Sequence, residues 1–283
     1  MIRKILAGVI LPAAICFALA SCSVKNNTGG KLFILGGGTI QSPVINKIIE
    51  ISGIDQGGYG VILPMSSSVP DTAIIETSKY FTSKGLHNIY GINFKMGQAC
   101  TQAILDSIKN ARLVYISGGD QAVFMKIIEG TPIKEAIHES FNRGHLIAGT
   151  SAGASLMSKT MVTGNELKHP GPVVYFNTME SDNVETIEGL GMLEKVIIDQ
   201  HFIVRRRLNR SVCMAIEHPD HMVIGIDEPA AILVEGNRAT VYGDSQVVVI
   251  QHPEQTKKTN GLLGARNIRM DVYLPGESFE IKK

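Results

Sequence analysis

Residues 146–159 are LIAGTSAGASLMSK, and this stretch decides the fold. The apolar run LIA predicts a buried strand, and ASLMSK predicts a helix. Between them, the glycines on both sides of Ser151 allow the backbone to turn sharply. A strand that passes through a tight turn directly into a helix is the basic unit of α/β proteins, so we expect an α/β domain built around this unit.

The same alternation extends toward the amino terminus. Short apolar runs that predict strands are KLFIL, VILP, IYGINF and LVYIS. Amphipathic stretches between them predict helices over PVINKIIEISG, from Asp71 to Gly85, over Gln102–Lys109, and from Thr131-Pro132 to Gly144. Alternating strands and helices need right-handed crossovers and a mostly parallel sheet covered on both faces. The predicted fold is therefore doubly wound α/β, of the flavodoxin-like kind, with Asp71 as the N-cap of its helix.

The pattern changes after Gly225. The segments AAILVE, RATVYG and QVVVIQ, with a Gly236-Asn237 turn, predict antiparallel strands joined by hairpins that extend the same sheet. We find no linker, internal repeat or low-complexity stretch after Lys31. Residues 31–283 are therefore predicted to form a single domain.

Composition excludes several classes of protein. Of the 283 residues, 44% are hydrophobic and 19% are charged, which excludes a disordered chain. The net charge of +1, without a basic run, excludes a nucleic-acid partner. The cysteines show no Cys-x-x-Cys spacing, so neither a disulfide scaffold nor a zinc ribbon is predicted, and Cys100 and Cys213 are expected to be buried free thiols. Nothing in the sequence calls for a metal or an organic cofactor.

The amino terminus has the pattern of an export signal. Arg3 and Lys4 precede an unbroken apolar run over residues 5–20. The run is followed by Ser21 and Cys22, which resembles the bacterial lipobox, in which the cysteine is lipidated and becomes the first residue of the mature protein. Alternatives are an ordinary cleaved signal or an uncleaved anchor. We predict a lipoprotein signal peptide up to Cys22, a polar tether over residues 23–30, and a cell-envelope protein whose membrane contact is this lipid anchor.

Ligands of open α/β sheets bind at the carboxyl ends of the strands, so residues that follow each strand are the candidates for chemistry. Residues 149–153 match G-x-S-x-G in the strand-turn-helix context that this motif requires. Ser151 is the candidate nucleophile, and the Ala152 amide at the helix start is a candidate oxyanion donor. The alternative is a glycine-rich turn with a helix-capping serine.

Two further strand ends carry candidates. In SGGDQ after LVYIS, paired glycines let the Gly119 amide approach a ligand as a second oxyanion donor, and Asp120 is expected to cap the next helix. In DQHF after VII, His201 ends a strand and is the candidate base for a serine.

Basic residues cluster immediately after His201. They are Arg205, Arg206, Arg207 and Arg210. Cations in the first turn of a helix oppose its dipole, so the cluster is expected to bind an anionic ligand or buried carboxylates. The alternative is a solvated basic face.

The base needs a carboxylate partner. GIDE ends a strand with Asp227 and Glu228, whose side chains point to opposite faces, so one of them can face His201. Asp199 is a third candidate, and the residues alone leave the choice open.

The motifs GGDQ, GTSAGAS, DQHF with its arginines, and GIDE, in this order, resemble cyanophycinase and its relatives, the serine peptidases of family S51. The resemblance implies a class I glutamine-amidotransferase-like fold. It also implies that Ser151 is the nucleophile, His201 the base and Glu228 the acid. The pocket residues that it implies are Gln121, Asp199, Gln200, Arg205, Arg207 and Arg210.

The resemblance further implies a substrate and an assembly. The substrate would be cyanophycin, a poly-aspartate with arginine on its side chains, released as β-Asp-Arg dipeptides, and the assembly a homodimer. Two alternatives are an aspartyl dipeptidase of the same family and an inactive lipid-anchored protein that binds acidic peptides. The chain departs from the family at Gly36-Gly37-Gly38-Thr39, where an acidic residue commonly follows the glycines.

Overall fold

The structure is a computed structural model that describes residues 29–171 and 176–281. The predicted signal peptide, with Cys22, and most of the predicted tether lie outside the described residues. Within them, no helix is long and apolar enough to cross a membrane. No group of three or more His, Cys, Asp or Glu side chains in the described residues is arranged to hold a metal ion.

Helices and strands alternate through the first half of the chain. The helices are α1 (Ser42–Ser52), α2 (Pro70–Thr82), α3 (Gln102–Lys109), α4 (Gln121–Ile128), α5 (Ile133–Asn142), α6 (Ala152–Ser155) and α7 (Leu208–Glu217). The strands are β1 (Lys31–Leu35), β2 (Gly60–Leu63), β3 (Ile89–Gly91), β4 (Leu113–Ile116), β5 (Leu146–Thr150), β6 (Thr160–Glu166), β7 (Val184–Glu188), β8 (Val196–Gln200), β9 (Met222–Ile226), β10 (Ala230–Glu235), β11 (Arg238–Gly243), β12 (Val247–Gln251), β13 (Glu254–Thr259), β14 (Leu262–Arg266), β15 (Arg269–Tyr273) and β16 (Ser278–Glu280).

The main sheet has eight strands in the order β16-β11-β10-β1-β5-β4-β2-β3. The strands from β1 to β3 in this order pair in parallel, and β10, β11 and β16 extend the sheet antiparallel. Side chains of β1 alternate between two cores: Leu32 and Ile34 pack with α3 and α5, and Phe33 and Leu35 pack with α1 and α2. Burial on both faces explains the continuous apolar runs, and the predicted doubly wound fold is confirmed.

A second sheet of four strands has the order β15-β12-β9-β8. The expectation that QVVVIQ extends the main sheet is therefore wrong, because β12 pairs with β9 and β15. Alternate residues of β12 fill two different cores, with Val247 and Val249 in one and Val248 and Ile250 in the other. A strand that is buried on both faces, as β12 is, needs packed side chains on each side. An extension of the main sheet beyond β11 does not supply both layers.

Two helix predictions also need correction. The helix α2 begins at Pro70, so the N-cap position belongs to Val69, and Asp71 lies in the first turn. The helix α6 ends at Ser155 rather than continuing to Lys159. Here the chain turns into a buried connection, in which Ser158 Oγ accepts a hydrogen bond from the Ile198 amide at 2.9 Å. Tertiary contacts therefore override the helical propensity of ASLMSK.

Cys100 and Cys213 are free thiols, as predicted. Cys213 is buried and Cys100 is only partly so. Burial raises the pKa of Cys213 to about 12, so this thiol stays protonated at neutral pH.

The two sheets meet at the carboxyl ends of their strands. The amide of His201, which follows β8, donates to the Gly36 carbonyl oxygen at 2.9 Å, and Gly36 follows β1. The amide of Ser151, which follows β5, donates to the Leu35 carbonyl oxygen at 3.1 Å. Residues from both sheets therefore converge at one edge of the molecule.

Candidate active site

Ser151 lies at a strained turn between β5 and α6. Its φ of 54° and ψ of −113° are unfavourable for a residue with a side chain, and such conformations cost about 1–3 kcal/mol each. Both flanking glycines are needed for close packing. A β-carbon on Gly149 would lie 2.2 Å from the Gly153 carbonyl oxygen, and one on Gly153 would lie 2.4 Å from the Ile116 carbonyl oxygen. This backbone holds the serine hydroxyl out from the sheet edge, as the motif predicts.

The structure places His201 against this hydroxyl. His201 Nε2 lies 2.8 Å from Ser151 Oγ, within the range expected for a nucleophile and its base. The histidine is 5% exposed, and its own φ is 49°. Although the two residues belong to different sheets, their side chains are in hydrogen-bond contact.

Of the three candidate carboxylates, Glu228 is the one that contacts the imidazole, through a hydrogen bond between its Oε1 and His201 Nδ1. Asp227 points to the other face of the chain and accepts hydrogen bonds from the amides of Ile203 and Val204. Asp199 is paired with arginines. Strand alternation predicted the opposite directions of Asp227 and Glu228, and the packing of the two sheets decides which one reaches the ring.

The histidine is poised to accept a proton. Burial lowers the pKa of His201 below its usual value, and the charges of Arg205 and Arg207 act in the same direction. The hydrogen bond that His201 donates to Glu228 raises this pKa but does not reverse the shift. The imidazole is therefore neutral at neutral pH. With Nδ1–H donating to the Glu228 carboxylate, Nε2 is free to take the hydroxyl proton of Ser151.

The glycine run after β1 contacts the same side chains, and our sequence analysis missed this role. A β-carbon on Gly37, where φ is +110°, would lie 2.2 Å from His201 Cε1. A β-carbon on Gly38, where φ is +73°, would lie 2.6 Å from Glu228 Oε2. The available signal was a run of glycines at the carboxyl end of a strand, which indicates a close approach of another group to the backbone.

The candidate oxyanion donors are Ala152, which follows the serine, and Gly119, which lines the same cleft as Ser151. Ala152 is the first residue of α6, where a helix amide has no partner within the helix. Gly119 has a φ of +138°, and a β-carbon there would lie 1.9 Å from the Ser66 carbonyl oxygen. The neighbouring Gly118 is also close, because its β-carbon would lie 3.3 Å from Ser151 Cβ. The two glycines bring the backbone of residues 118–119 alongside the serine.

The family model of peptidase family S51 matches residues 32–242. The chain belongs to peptidase family S51. It is a serine peptidase of the hydrolase class.

Curated relatives include two enzymes with different names. The chain is 28% identical over 232 residues to the cyanophycinase of Trichormus variabilis, which covers 79% of this chain and 75% of that protein. It is 25% identical over 165 residues to peptidase E of Actinobacillus pleuropneumoniae serotype 5b, covering 55% of this chain and 65% of that protein.

Solved structures show the same fold. The structure of a peptidase from an acI-B1 actinobacterium matches with a TM-score of 0.66 at 21% identity. The match covers 89% of this chain and 97% of that peptidase chain. A putative peptidase E from Listeria monocytogenes has a TM-score of 0.54 at 18% identity, covering 76% of this chain and 99% of its own. The fold of this S51 peptidase is thus that of peptidase E-like proteins.

A small cleft of about 160 Å³ opens beside Ser151. Its walls include Gly119, Gln121, Thr163, Gln200, Arg205 and Arg207. Ordinary small-molecule sites measure about 300–1,000 Å³, so this cleft accommodates only a short part of a substrate. A larger concavity of about 770 Å³ lies between α4, α5 and β7, and none of the three residues Ser151, His201 and Glu228 lines it.

Two glutamines of the S51 peptidase have different roles in this cleft. Gln121 Nε2 donates to the carbonyl oxygens of Val162 and Thr163 at 2.7 and 2.8 Å, so it attaches the β6 wall to the start of α4. Gln200 is buried, and its Oε1 has no hydrogen-bond partner within the described part of the chain. A buried acceptor without a partner is costly, so Gln200 is suited to receive a donor from a substrate.

Asp199 and Arg210 lie behind the cleft rather than in its wall. Asp199 is 1% exposed and accepts hydrogen bonds from Arg210 Nε at 2.7 Å, from Arg210 Nη2, from Ser211 Oγ at 2.9 Å and from Arg207 Nη1 at 3.3 Å. Burial by itself would raise the pKa of Asp199, but the arginine charges and these hydrogen bonds lower it. Its oxygens are therefore already engaged by groups of the protein.

The cations of the cleft are Arg205 and Arg207. Arg207 Nη1 also donates to the Gln200 carbonyl oxygen at 2.9 Å, and burial lowers its pKa to about 10, which leaves it charged at neutral pH. Arg205 is exposed, and Arg206 is exposed with a φ of 54°. The helix α7 begins at Leu208, so Arg210 is the one arginine of the cluster within its first turn.

Asp120 caps α4 as predicted, since its Oδ1 accepts the amides of Ala122 and Val123 at 2.8 and 3.1 Å. The cap uses Oδ1, and the side chain also lines the cleft. Asp120 therefore adds an acidic group to a cleft whose other charges are arginines.

Proposed function

We propose that this S51 peptidase is an exopeptidase that hydrolyses cyanophycin to β-Asp-Arg dipeptides through a catalytic triad of Ser151, His201 and Glu228. The observation that carries the proposal is the continuous contact from Ser151 Oγ to His201 Nε2, at 2.8 Å, and from His201 Nδ1 to Glu228. A serine, a base and an orienting carboxylate in this arrangement are the groups that acyl transfer requires.

The reaction begins when Ser151 Oγ attacks an aspartyl carbonyl carbon and His201 Nε2 takes the hydroxyl proton. The amides of Gly119 and Ala152 stabilise the oxyanion that forms. His201 then gives its proton to the departing amine, and the acyl group remains on the serine. Water, deprotonated by His201, attacks the ester carbonyl and releases the acid, which restores the serine. Donors aimed at the oxyanion are each worth about 10²- to 10³-fold in rate.

The charges of the cleft support a substrate with groups of both signs. Arg205 and Arg207 suit a substrate carboxylate, because a guanidinium binds a carboxylate with two parallel hydrogen bonds. Asp199, one of the implied pocket residues, is not available to the substrate guanidinium, because its oxygens already bind Arg207 and Arg210. The acidic group available to that guanidinium is Asp120, which caps α4 through Oδ1 and can use Oδ2. Similarity to cyanophycinases extends over more of the chain than similarity to peptidase E.

A comparison of two substrates tests the proposal. The purified protein is incubated with cyanophycin and, separately, with short peptides that carry an amino-terminal aspartate and no arginine, and the products are identified by mass. Release of β-Asp-Arg from the polymer supports the proposal, provided that the Ser151→Ala variant releases none. Cleavage of the short peptides alone would identify an aspartyl dipeptidase instead. A folded protein that no fluorophosphonate probe labels at Ser151 would be a binding protein.

We also propose that the protein is anchored to a membrane of the cell envelope by lipid on Cys22. The domain is compatible with such an anchor, because Lys31 begins β1 beside Leu146 at the amino ends of parallel strands, whereas Ser151 follows their carboxyl ends. A tether over residues 23–30 would therefore leave the domain at the edge opposite the cleft. The Cys22→Ser variant should be lost from the membrane fraction, and its retention there would indicate an uncleaved helix.

A further inference from the structure

Two adjacent carboxylates follow β9, and the mechanism above uses only one of them. Glu228 contacts the imidazole of His201, while Asp227 is 5% exposed and turned away from the ring. A buried carboxylate is costly unless its oxygens are hydrogen-bonded. Asp227 therefore needs an explanation of its own.

The contacts of Asp227 converge on the turn that follows the histidine. Its Oδ1 accepts hydrogen bonds from the amides of Ile203 at 2.9 Å and Val204 at 3.0 Å. Its Oδ2 accepts one from Ser245 Oγ at 3.0 Å, which ties the carboxylate to the connection between β11 and β12. Asp227 thus joins the residues after β8 to a separate part of the second sheet.

The turn after β8 is strained and is held by contacts on both sides of Ile203 and Val204. His201 has a left-handed φ of 49°, which a residue with a β-carbon rarely adopts, so the surrounding contacts must hold it there. The side chains of Ile203 and Val204 are 47% and 61% exposed and contribute little packing. Other contacts include the buried ring of Phe202 and the hydrogen bonds from the His201 amide to the Gly36 carbonyl oxygen and from the Phe202 amide to the Ile226 carbonyl oxygen. Within the turn, the amides of Arg205 and Arg207 donate to the carbonyl oxygens of His201 and Phe202. None of these contacts holds the amides of Ile203 and Val204, which Asp227 accepts.

We propose that Asp227 is a positioning residue for the catalytic base. By accepting the amides of Ile203 and Val204, it holds the backbone that follows His201 and thereby keeps Nε2 at hydrogen-bond distance from Ser151. This role rests on the proposed catalytic function of the Ser151–His201 pair. It differs from the role of Glu228, which acts on the imidazole ring itself.

Because Asp227 acts by holding the backbone in place, Asp227→Asn and Asp227→Ala should have different effects on the rate. An amide oxygen can accept both backbone amides, and the amide nitrogen can donate to Ser245 Oγ, so Asp227→Asn keeps the turn in place. Asp227→Ala removes all three hydrogen bonds and lets the histidine move. A displacement of about 1 Å in a catalytic group can cost roughly 10²-fold in rate, which sets the expected loss of kcat for the alanine variant.

The test measures the reaction of Ser151 with a fluorophosphonate probe, per folded molecule, together with kcat and KM. Asp227→Ala should label about 10²-fold more slowly than the parent and lose kcat by a similar factor, with little change in KM because Asp227 does not line the cleft. Asp227→Asn should label within a few-fold of the parent and keep the pH midpoint of kcat/KM, since Glu228 remains the partner of the ring.

A matched control separates positioning from stability. Ser140 is fully buried and donates from Oγ to the Ala111 carbonyl oxygen at 3.2 Å, far in the fold from the two strand ends of the site. Ser140→Ala should lower the melting temperature without slowing the labelling of folded protein. Parent-like labelling of folded Asp227→Ala, or an asparagine variant as slow as the alanine variant, would overturn the proposal.

Crystal structures of the variants keep this test independent of the proposed function. In Asp227→Ala, His201 Nε2 should move out of hydrogen-bond distance of Ser151 Oγ, and in Asp227→Asn it should remain. If the parent fails to label at all, the catalytic function fails, and these two distances still decide whether Asp227 positions the histidine. An unmoved histidine in the alanine variant would refute the role.

Discussion

The serine half of the candidate site and its histidine–glutamate half are built in different ways. Ser151 follows β5 of the eight-stranded sheet, and its geometry comes from the glycine-flanked turn and from contacts with the neighbouring strands β1 and β4 of the same sheet. His201 follows β8 and Glu228 follows β9 of the four-stranded sheet, and they reach the serine because the second sheet packs against the glycine run after β1. A nucleophile can thus be positioned by local backbone geometry, whereas its base depends on contacts between distant segments.

The difference has a consequence for robustness. Local geometry at Ser151 survives small movements between the sheets, because the turn and its flanking glycines move together. The 2.8 Å contact between Ser151 and His201 does not survive them, since each atom moves with its own sheet. Catalysis should therefore be more sensitive to changes at the contact between the sheets than to changes of similar size within either sheet.

Removing the side chain of either Ser151 or His201 should have the largest effect on kcat. Ser151→Ala and His201→Ala are each expected to lower kcat by a factor on the order of 10⁶, because the two residues act as one unit. The double variant should be only slightly worse than either single one. Steady-state kinetics on all three decide the point, and losses that multiply in the double variant would show that the halves work separately.

The contact between the halves can be tested at Gly37. Gly37→Ala places a β-carbon 2.2 Å from the His201 ring and should lower kcat by about 10²-fold or more, while Ser151 keeps its turn. Gly57 offers a matched control, since its φ of +119° is similar and no atom lies within 4 Å of its β-carbon position. Gly57→Ala should cost some stability and leave kcat unchanged. Equal kcat losses in both variants would mean that backbone strain, not contact with the histidine, is responsible.

The arginines on the histidine side should show a smaller effect. Arg207 Nη1 donates to both Asp199 and the Gln200 carbonyl oxygen, which leaves the other nitrogens of the guanidinium for a substrate carboxylate. Lysine cannot bind a carboxylate through the same planar pair of hydrogen bonds. Arg207→Lys should raise KM or lower kcat by about tenfold, the equivalent of losing one charge-assisted hydrogen bond. Arg206→Lys, at an exposed neighbouring position, should have little effect. If both variants match the parent and activity simply falls with salt, the cluster only attracts the substrate from solution.

The smallest expected effect is a shift in the pH dependence of kcat/KM. His201 must be neutral to accept a proton, and its pKa is lowered by burial, so kcat/KM should persist below the usual histidine pKa of about 6.5 and fall only at more acid pH. Arg205→Gln removes a charge that lowers this pKa, so the acid limb should shift toward higher pH. An acid limb above the usual value in the parent would contradict the burial of the base.

Much of the fold and part of the site follow from short stretches of sequence. The alternation of strands and helices, the Ser151 turn and the Asp120 cap all depend on residues within a few positions of one another, and each has the predicted form. At two of the places where local prediction failed, a distant contact was responsible. The helix after Ser151 ends early because the residues that follow it form a buried connection, in which Ser158 contacts β8. The strand β12 pairs in the second sheet because both of its faces are buried.

By itself the sequence determined which residues carry the chemistry at each strand end, because strand ends, glycine turns and helix caps are local properties of the chain. The tertiary structure decided which of these residues meet. It selected Glu228 rather than Asp227 or Asp199 as the partner of His201, engaged Asp199 with Arg207 and Arg210, and gave Gly37 its contact with the histidine. These outcomes depend on how the two sheets pack. Packing brings together residues that are far apart along the chain, and such contacts leave no periodic pattern in the sequence.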